Sequence, residues 1–362
     1  MNGPLRIAIL LLFAPAFAGV APSFAADPPT RTKEPFEDAV DRGLSYLVRS
    51  QNRDGSWSAG RGGTSDPAVS ALAVMAFLSS GHIPGEGPHG EVVEKGVRYV
   101  MSVQTAAGTF TPAQKGPMEM YYQGICTLML AEVVGMMPDR FEADKLRTQL
   151  VRAIRVILAA QRELGEDRGG WRYAISGSDA DISVTGWQIM ALRAAKNVGC
   201  DIPPEAIERA VGYFRNCFDP LSGGYRYQRS QAVTVPCTGA AILSLELCGS
   251  RYHRSPEAIR AGGYLLRREN QLSPTRNYFF YGVYYTSQAM FQLGDNYWKS
   301  YRESLHEMLL RSVAPREVGF WLGRTGDDAF YGPAYCTSMA ILSLTVEYRL
   351  LPIYQRDEGE KE

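Results

Sequence analysis

The stretch RGGWRYAISGSDADISVTGWQIMAL, residues 168–192, joins two kinds of predicted helix through an acidic turn. Before it lies an amphipathic helix, LVRAIRVILAAQRELG (150–165), whose apolar residues recur at helical spacing. The turn carries Asp179 and Asp181, and an almost purely apolar helix begins at Ile182. We take this module of helix, acidic turn and apolar helix as the unit that decides the fold.

The same two-part pattern returns six times from residue 36 onward. The apolar halves have landmarks spaced 48 to 62 residues apart, at Ser70, Gly124, Gly186, Gly239, Ser287 and Ser338. Regular spacing of this length indicates an array of repeats rather than separate domains. Residues 36–350 are therefore predicted to form one repeat domain, with a linker at 27–35 before it and a charged tail at 351–362 after it.

The two halves of each repeat differ in polarity. In the first repeat, Phe36, Val40 and Leu44 share one helical face while Asp38 and Arg42 lie on the other, so this half needs one side in water. The second halves contain no charged residue, which indicates burial on all sides. Six amphipathic helices around six buried ones predict an all-α (α/α)6 toroid with a central cavity. An open superhelical solenoid of helix pairs is the alternative.

Composition narrows the class of partner. The chain has 38 basic and 38 acidic residues, without a basic stripe, which argues against nucleic-acid binding. Cys126, Cys237 and Cys336 lie in apolar helical stretches and are predicted to be buried, and no cysteine spacing indicates a disulfide pairing.

The amino-terminal residues have the layout of a signal peptide. Arg6 precedes an apolar run at residues 7–21, and small residues near Ala25 mark a cleavage site. We predict a signal peptide at 1–26, export to the periplasm or the extracellular space, and no transmembrane span in the mature chain. A retained membrane anchor is the alternative.

One motif resembles a known family. Residues 42–57, RGLSYLVRSQNRDGSW, contain a basic residue, Gly, an aromatic and an aliphatic residue, then Gln51 and a Gly-x-Trp that ends at Trp57. This resembles the Gln-Trp repeat of squalene-hopene and oxidosqualene cyclases, and a partial copy has Gln161 and Trp171. The chain thus resembles the prenyltransferase and squalene-cyclase repeat superfamily over residues 36–348. We expect the four motif residues to be structural.

The resemblance raises the question of a catalytic acid. Class II terpene cyclases carry a DxDD motif at the start of an inner helix, and SDADIS (178–183) matches it only in part. In one register Asp181 is the acid and Ile182 replaces the last aspartate; in the other, Ala180 stands where the acid belongs. Asp181, with Asp179 beside it, is therefore the candidate catalytic residue.

Helix capping is the alternative role for the same carboxylates. Asp66, Glu119 and the pair Asp327 and Asp328 also precede or begin apolar helices. An aspartate in that place accepts hydrogen bonds from free backbone N–H groups and complements the helix dipole. We favour capping for Asp181, and expect the caps to form an acidic rim at one end of the cavity.

Protein prenyltransferases, which share the resemblance, hold a catalytic zinc through an Asp-x-Cys pair and a histidine. Here Gly332 stands where that histidine belongs, between Asp328 and Cys336, and no cysteine follows an aspartate at that spacing. We therefore predict no catalytic zinc and no other cofactor.

Aromatic residues gather at the starts of the apolar helices, where they can line the cavity. With Trp187 and Asp328, the predicted lining draws on Tyr121, Tyr122, Tyr278, Phe279, Phe280, Tyr281, Tyr284, Tyr285, Phe330, Tyr331 and Tyr335. Such a wall suits an apolar or isoprenoid ligand, a divergent terpene cyclase that uses Asp181, or a saccharide. The remaining alternative is that these rings fill a toroid too narrow to be hollow.

Overall fold

Within the described residues, twelve α-helices alternate along the chain between an outer and an inner position. The computed structural model describes residues 33–60, 63–110, 118–315 and 317–355, so the predicted signal peptide lies outside the described residues. The outer helices are α1 (Pro35–Ser50), α3 (Gly90–Ser102), α5 (Arg140–Ala160), α7 (Pro204–Cys217), α9 (Pro256–Leu265) and α11 (Asp295–Ser312). The inner helices are α2 (Pro67–Ser79), α4 (Glu119–Glu132), α6 (Ile182–Asn197), α8 (Val235–Leu247), α10 (Phe279–Leu293) and α12 (Gly326–Leu344). Two short antiparallel strands, β1 (Trp57–Ser58) and β2 (Ser65–Asp66), precede α2.

The inner helices close into a ring. Each packs against the next inner helix along the chain, and α12 packs against α2. Outer helices pack against inner ones: α3 contacts α2, α9 contacts α8, and α1 contacts α12. The predicted all-α toroid is confirmed, and contact between the last and first inner helices excludes the open solenoid.

Burial follows the polarity read from the sequence. In α1, Phe36, Val40 and Leu44 are buried on one face, whereas in α2 every residue from Val69 to Ser79 is buried. Burying one such apolar side chain fully contributes roughly 1.5–3 kcal/mol to folding. Inner helices such as α2 therefore need the outer helices to cover their apolar surface.

The Gln-Trp motif joins neighbouring repeats through hydrogen bonds to the backbone. The indole Nε1 of Trp57 donates to the carbonyl of Leu47 at 2.8 Å, and its backbone N–H donates to Ser70 Oγ at 2.8 Å. Gln51 Nε2 donates to the carbonyl of Val92 in α3, also at 2.8 Å. One motif thus connects the end of its own outer helix with the following inner and outer helices.

Later copies make the same contacts. Trp171 Nε1 donates to the carbonyl of Ile157, and Gln161 Nε2 donates to that of Ala206 in α7, both at 2.8 Å. The last repeat contains a further copy, in which Trp321 Nε1 donates to the carbonyl of Leu309 at 2.9 Å. Trp321 was not among the predicted motif residues, although the Gly-x-Trp spacing at 319–321 marks it.

The carboxyl-terminal segment differs from the prediction. Leu351, Ile353 and Tyr354 are buried, and a 3₁₀ turn at Pro352–Tyr354 packs against α6. Tyr354 OH lies 2.7 Å from Tyr284 OH in α10. The predicted tail at 351–362 therefore begins with a plug inside the ring. Its residues 356–362 lie outside the described part of the chain.

Two further sequence expectations concern cysteines and membranes. All six cysteines are free, and Cys126, Cys237 and Cys336 are buried as predicted. Among the described residues, no helix combines the length and the apolar composition needed to cross a membrane.

Candidate functional site

A cavity of about 740 Å³ lies at the amino-terminal ends of the inner helices. All six inner helices contribute to its wall, together with connections that precede them, among them the one between α9 and α10. Its aromatic lining comprises Tyr121, Tyr122, Tyr173, Trp187, Tyr227, Tyr264, Tyr278, Tyr281, Tyr331 and Tyr335. The toroid is therefore hollow at this end, and its volume lies within the range of small-molecule sites.

The deeper wall is apolar. Leu72, Ile125 and Trp187 each lie about one and a half turns into their helices and line the cavity. Trp187 is stacked on Tyr284, with ring centroids 5.4 Å apart and an interplanar angle of 8°, and Tyr285 packs edge-on against it. A ring held from behind in this way is a fixed apolar surface for a ligand.

Tyr284 and Tyr285 lie behind the cavity wall, where the sequence analysis expected them in it. Both are fully buried, and Tyr284 bonds onward to Tyr354 of the carboxyl-terminal plug. Tyr281, one turn earlier on the same helix, does line the cavity. The sequence could not distinguish the lining tyrosine from the two behind the wall, because a helix that is apolar on all sides has no polar face to indicate its orientation.

The opposite end of the inner ring is closed by the plug. Ile353 N–H donates to the carboxyl of Glu132, the last residue of α4, at 3.2 Å to Oε1. Glu132 is buried, and this burial raises its pKa to about 8. The cavity is therefore a cup, with its mouth at the helix amino termini.

The mouth is more polar than the interior. Gln231, Asn270, Gln271, Arg276 and Asn277 line it, from the connections before α8 and α10. An apolar interior with a polar mouth suits a ligand that has an apolar body and one polar end.

Asp66 is a carboxylate in the cavity wall. Its Oδ1 accepts the N–H of Val69, which caps α2, and Tyr122 OH donates to its Oδ2 at 3.1 Å. Burial raises the pKa of Asp66. Burial and the charges of Asp66 and Asp327 raise the pKa of Tyr331, which also lines the cavity, to about 12. The sequence analysis identified Asp66 only as a cap.

Asp181 does not line the central cavity. It is fully buried, its Oδ1 accepts the N–H of Val184 at 2.9 Å, and Arg172 Nη1 donates to its Oδ2 at 2.7 Å. Burial raises the pKa of Asp181, and the hydrogen bonds from Ser183, Val184 and Arg172 oppose that rise. Asp179 is about half exposed and pairs with Arg172 Nε at 2.9 Å. The observed geometry is that of a cap and an ion pair.

Hydrogen bonds nevertheless connect Asp181 with the cavity. Ser183 Oγ donates to its Oδ1 and lies 2.6 Å from Tyr121 OH. On the other side, Arg172 donates to Tyr227 OH and stands 4.1 Å over the ring of Tyr173. Tyr121, Tyr173 and Tyr227 line the cavity, so Asp181 helps to position three aromatic rings that it does not touch.

Asp328, also expected in the wall, is buried outside it. Its Oδ2 accepts the N–H of Phe279 at 2.6 Å and that of Phe280 at 3.4 Å, so it caps the neighbouring helix α10 instead of its own. Burial raises the pKa of Asp328 to about 6. Asp327 does line the cavity, and burial raises its pKa as well.

The remaining aromatic candidates divide between wall and surface. Tyr278 lines the mouth, Phe279 and Phe280 are buried, and Phe330 is 70% exposed. Among the described residues, no group of three histidine, cysteine, aspartate or glutamate side chains is placed to hold a metal ion. Tyr173, Tyr227 and Tyr264 line the cavity without having been predicted, since nothing in their sequence context marks them as lining residues.

Comparisons with known proteins relate the chain to other toroids. No protein-family model matches it, and no curated protein matches it significantly. An α-1,6-mannanase from Salegentibacter sp. HEL1_6 has a similar structure, with 11% identity, a TM-score of 0.64, and 86% of this chain and 99% of that chain covered. The type II terpene cyclase MstE from Scytonema is 15% identical, with a TM-score of 0.53 over 86% of this chain and 97% of that one. A protein from Actinoplanes is 15% identical, with a TM-score of 0.54 over 86% of this chain and 99% of that one. At these identities the likeness defines the fold class, the α/α toroid, and no particular family.

Proposed function

We propose that this toroid binds a largely apolar small molecule of the isoprenoid type in its central cavity. The observation that carries the proposal is the cup of about 740 Å³, with Leu72, Ile125 and Trp187 in its interior and amide and guanidinium groups at its mouth. An isoprenoid chain would contact the apolar and aromatic interior while a polar end group stayed at the mouth. A variant of MstE, which has the same fold, has a known structure in complex with geranylgeranyl dihydroxybenzoate, its substrate.

Filling the cavity tests this proposal. Leu72→Trp places a large ring in the wall, whereas Leu221→Trp makes the same substitution at a leucine that is 94% exposed. Farnesol binding, measured by calorimetry, is expected to fall at least about tenfold in the first variant and to stay unchanged in the second. Equal affinity in both variants, with the fold intact by circular dichroism, would show that the alcohol binds elsewhere.

A terpene cyclase reaction is the second candidate, and Asp66 favours it. A cyclase acid has to reach the substrate, and Asp66 is in the wall with a raised pKa, whereas Asp181 is sealed by Arg172 and Val184. Squalene turnover that is lost in Asp66→Asn and kept in Asp181→Asn would support this assignment. Turnover lost only in Asp181→Asn would restore Asp181 as the acid.

Saccharide processing is the third candidate, favoured by the adjacent Asp327 and Asp328. The Salegentibacter mannanase is inactive when two adjacent aspartates are replaced, and that variant was crystallised with α-1,6-mannotriose. Here only Asp327 faces the cavity, because Asp328 holds two amide groups of α10. Release of reducing sugar from α-1,6-mannan that disappears in Asp327→Asn would favour this candidate over the first two.

We also propose that the protein is exported to the periplasm or the extracellular space. Export of the chain is supported by the signal-peptide layout at residues 1–26. Mass determination of the mature amino terminus after expression with the full leader tests it, with cleavage near Ala25 expected.

A further inference from the structure

A second cavity, of about 440 Å³, lies in the outer part of the molecule next to α9, α10 and α11. Its lining combines the apolar residues Leu265, Phe280, Met308 and Leu322 with polar and charged residues such as Ser300, Glu307 and Arg311. It lies beside the shortest outer helix, since α9 has 10 residues and the other outer helices have 13 to 21. We call it the side cavity.

The side cavity and the central cavity share one wall. Val235, Asn270, Gln271 and Leu272 line both of them. All but Val235 belong to the connection between α9 and α10, residues 266–278. This connection is thus a partition only one layer of residues thick.

The partition is attached near its two ends. Asn270 Nδ2 donates to the carbonyl of Tyr264 at 2.8 Å, and Asn277 Oδ1 accepts the N–H of Asp327 at 2.9 Å. Between them, within the described part of the chain, the hydrogen bonds of residues 271–276 stay inside the connection, as in Arg276 N–H to Ser273 O at 3.0 Å. Side-chain packing rather than backbone pairing therefore closes the wall in its middle.

Leu272 provides that packing. It is half-buried, and its side chain fills a notch beside Gly282 and Pro236. A Cβ at position 282 would stand 2.9 Å from Leu272 Cδ2 and 3.2 Å from Pro236 Cγ, so the notch exists because Gly282 has no side chain. Removing the end of the leucine side chain would join the two cavities.

We propose that the side cavity is a second compartment for the apolar chain of the ligand, and that Leu272 determines how long a chain the protein accepts. The inference rests on the proposed function. With Leu272 in place, a chain ends in the central cavity, and additional isoprene units stay in water. Without it, the additional units bury against the apolar side chains of Leu265, Phe280 and Met308.

The test compares farnesol with geranylgeraniol, which is one isoprene unit longer, by calorimetry. Wild type is expected to bind the two alcohols with similar affinity. In Leu272→Ala the ratio of the longer to the shorter alcohol's affinity should rise about tenfold, the factor expected for burying about two further methylene groups. Leu272→Val should shift the ratio in the same direction by less.

Two further variants separate the compartment from a general loosening of the protein. Met308→Trp fills the side cavity, so the double variant with Leu272→Ala should return to the wild-type ratio while it keeps its affinity for farnesol. Leu158→Ala removes an equally half-buried leucine in α5, in the wall of neither cavity, and should leave the ratio unchanged.

The outcomes distinguish the two proposals. An unchanged ratio in Leu272→Ala, with farnesol still bound, overturns the second compartment and leaves the central cavity as proposed. A raised ratio that persists in the double variant also overturns it, because the additional units would then lie elsewhere. If wild type binds neither alcohol, the proposed function fails and the compartment fails with it.

Discussion

Replacing Glu132 by glutamine is expected to make the stability of the protein less sensitive to alkaline pH. Glu132 is 1% exposed at the end of α4, and its carboxyl accepts the N–H of Ile353, which belongs to the carboxyl-terminal plug. Burial raises its pKa from 4.5 to about 8, and the hydrogen bond from Ile353 opposes part of that rise. The folded protein therefore prefers the protonated acid.

The magnitude follows from proton linkage. Because the pKa is higher in the folded state, this contribution to stability is complete below about pH 4.5 and is lost as pH rises through about 8. Each pH unit between the two pKa values costs about 1.4 kcal/mol. Between about pH 6 and about pH 9, Glu132 alone should lower the free energy of unfolding by roughly 3 kcal/mol.

Urea unfolding at the two pH values checks this. Wild type should lose roughly 3 kcal/mol more than Glu132→Gln over that range, because glutamine still accepts the Ile353 N–H but does not ionise. Tyr354→Phe is the control: it removes the hydroxyl bonded to Tyr284, costs about 1 kcal/mol at either pH, and should keep the wild-type pH dependence. The same pH dependence in wild type and Glu132→Gln would refute the assignment.

Two further predictions concern the acidic turn and Gly332, where the backbone inside α12 is not helical. Asp181→Asn should cost about 3 kcal/mol in urea unfolding because it breaks a buried pair with Arg172, whereas Asp179→Asn should cost at most about 1 kcal/mol because Asp179 is half exposed; equal losses would contradict this. Gly332→Ala should lower stability by more than about 1 kcal/mol, as measured by thermal unfolding, because Gly332 has a φ of 77° and a Cβ there would stand 2.9 Å from the Cα of Gly60; an unchanged melting temperature would contradict it.

The fold could be predicted because each repeat contains local sequence signals for its two helices and for its junction with the next repeat. One polar face on α1 and none on α2 place these helices in different rings, and the Gln-Trp motif marks where one repeat meets the next. Trp57 shows that the motif acts locally, since its indole bonds to Leu47 in the same repeat. Signals of this kind need no knowledge of distant residues.

The site was harder to predict because its residues come from different helices and connections and meet only in the folded ring. Tyr281 and Tyr284 stand in the same apolar helix, yet one lines the cavity and the other supports Trp187 from behind. Leu272 lies in a connection without regular periodicity, and its role comes from two cavities on either side of it. Ile353 looked like part of a charged tail, but its packing depends on the end of α4.

Asp66 and Asp181 differ in what their second carboxylate oxygen contacts, and in the proposed cyclase reaction this difference decides which of them can act as the acid. Both cap an inner helix, Asp66 for α2 and Asp181 for α6, and such a cap neutralises the positive end of a helix. In each case Oδ1 holds a backbone N–H, so the role depends on Oδ2. For Asp181 it meets Arg172, which fixes the charge away from the cavity, while for Asp66 it meets the hydroxyl of Tyr122 in the wall. A neutral partner leaves Asp66 able to exchange a proton with a ligand, so its substitution, and not that of Asp181, is the one expected to change chemistry rather than folding.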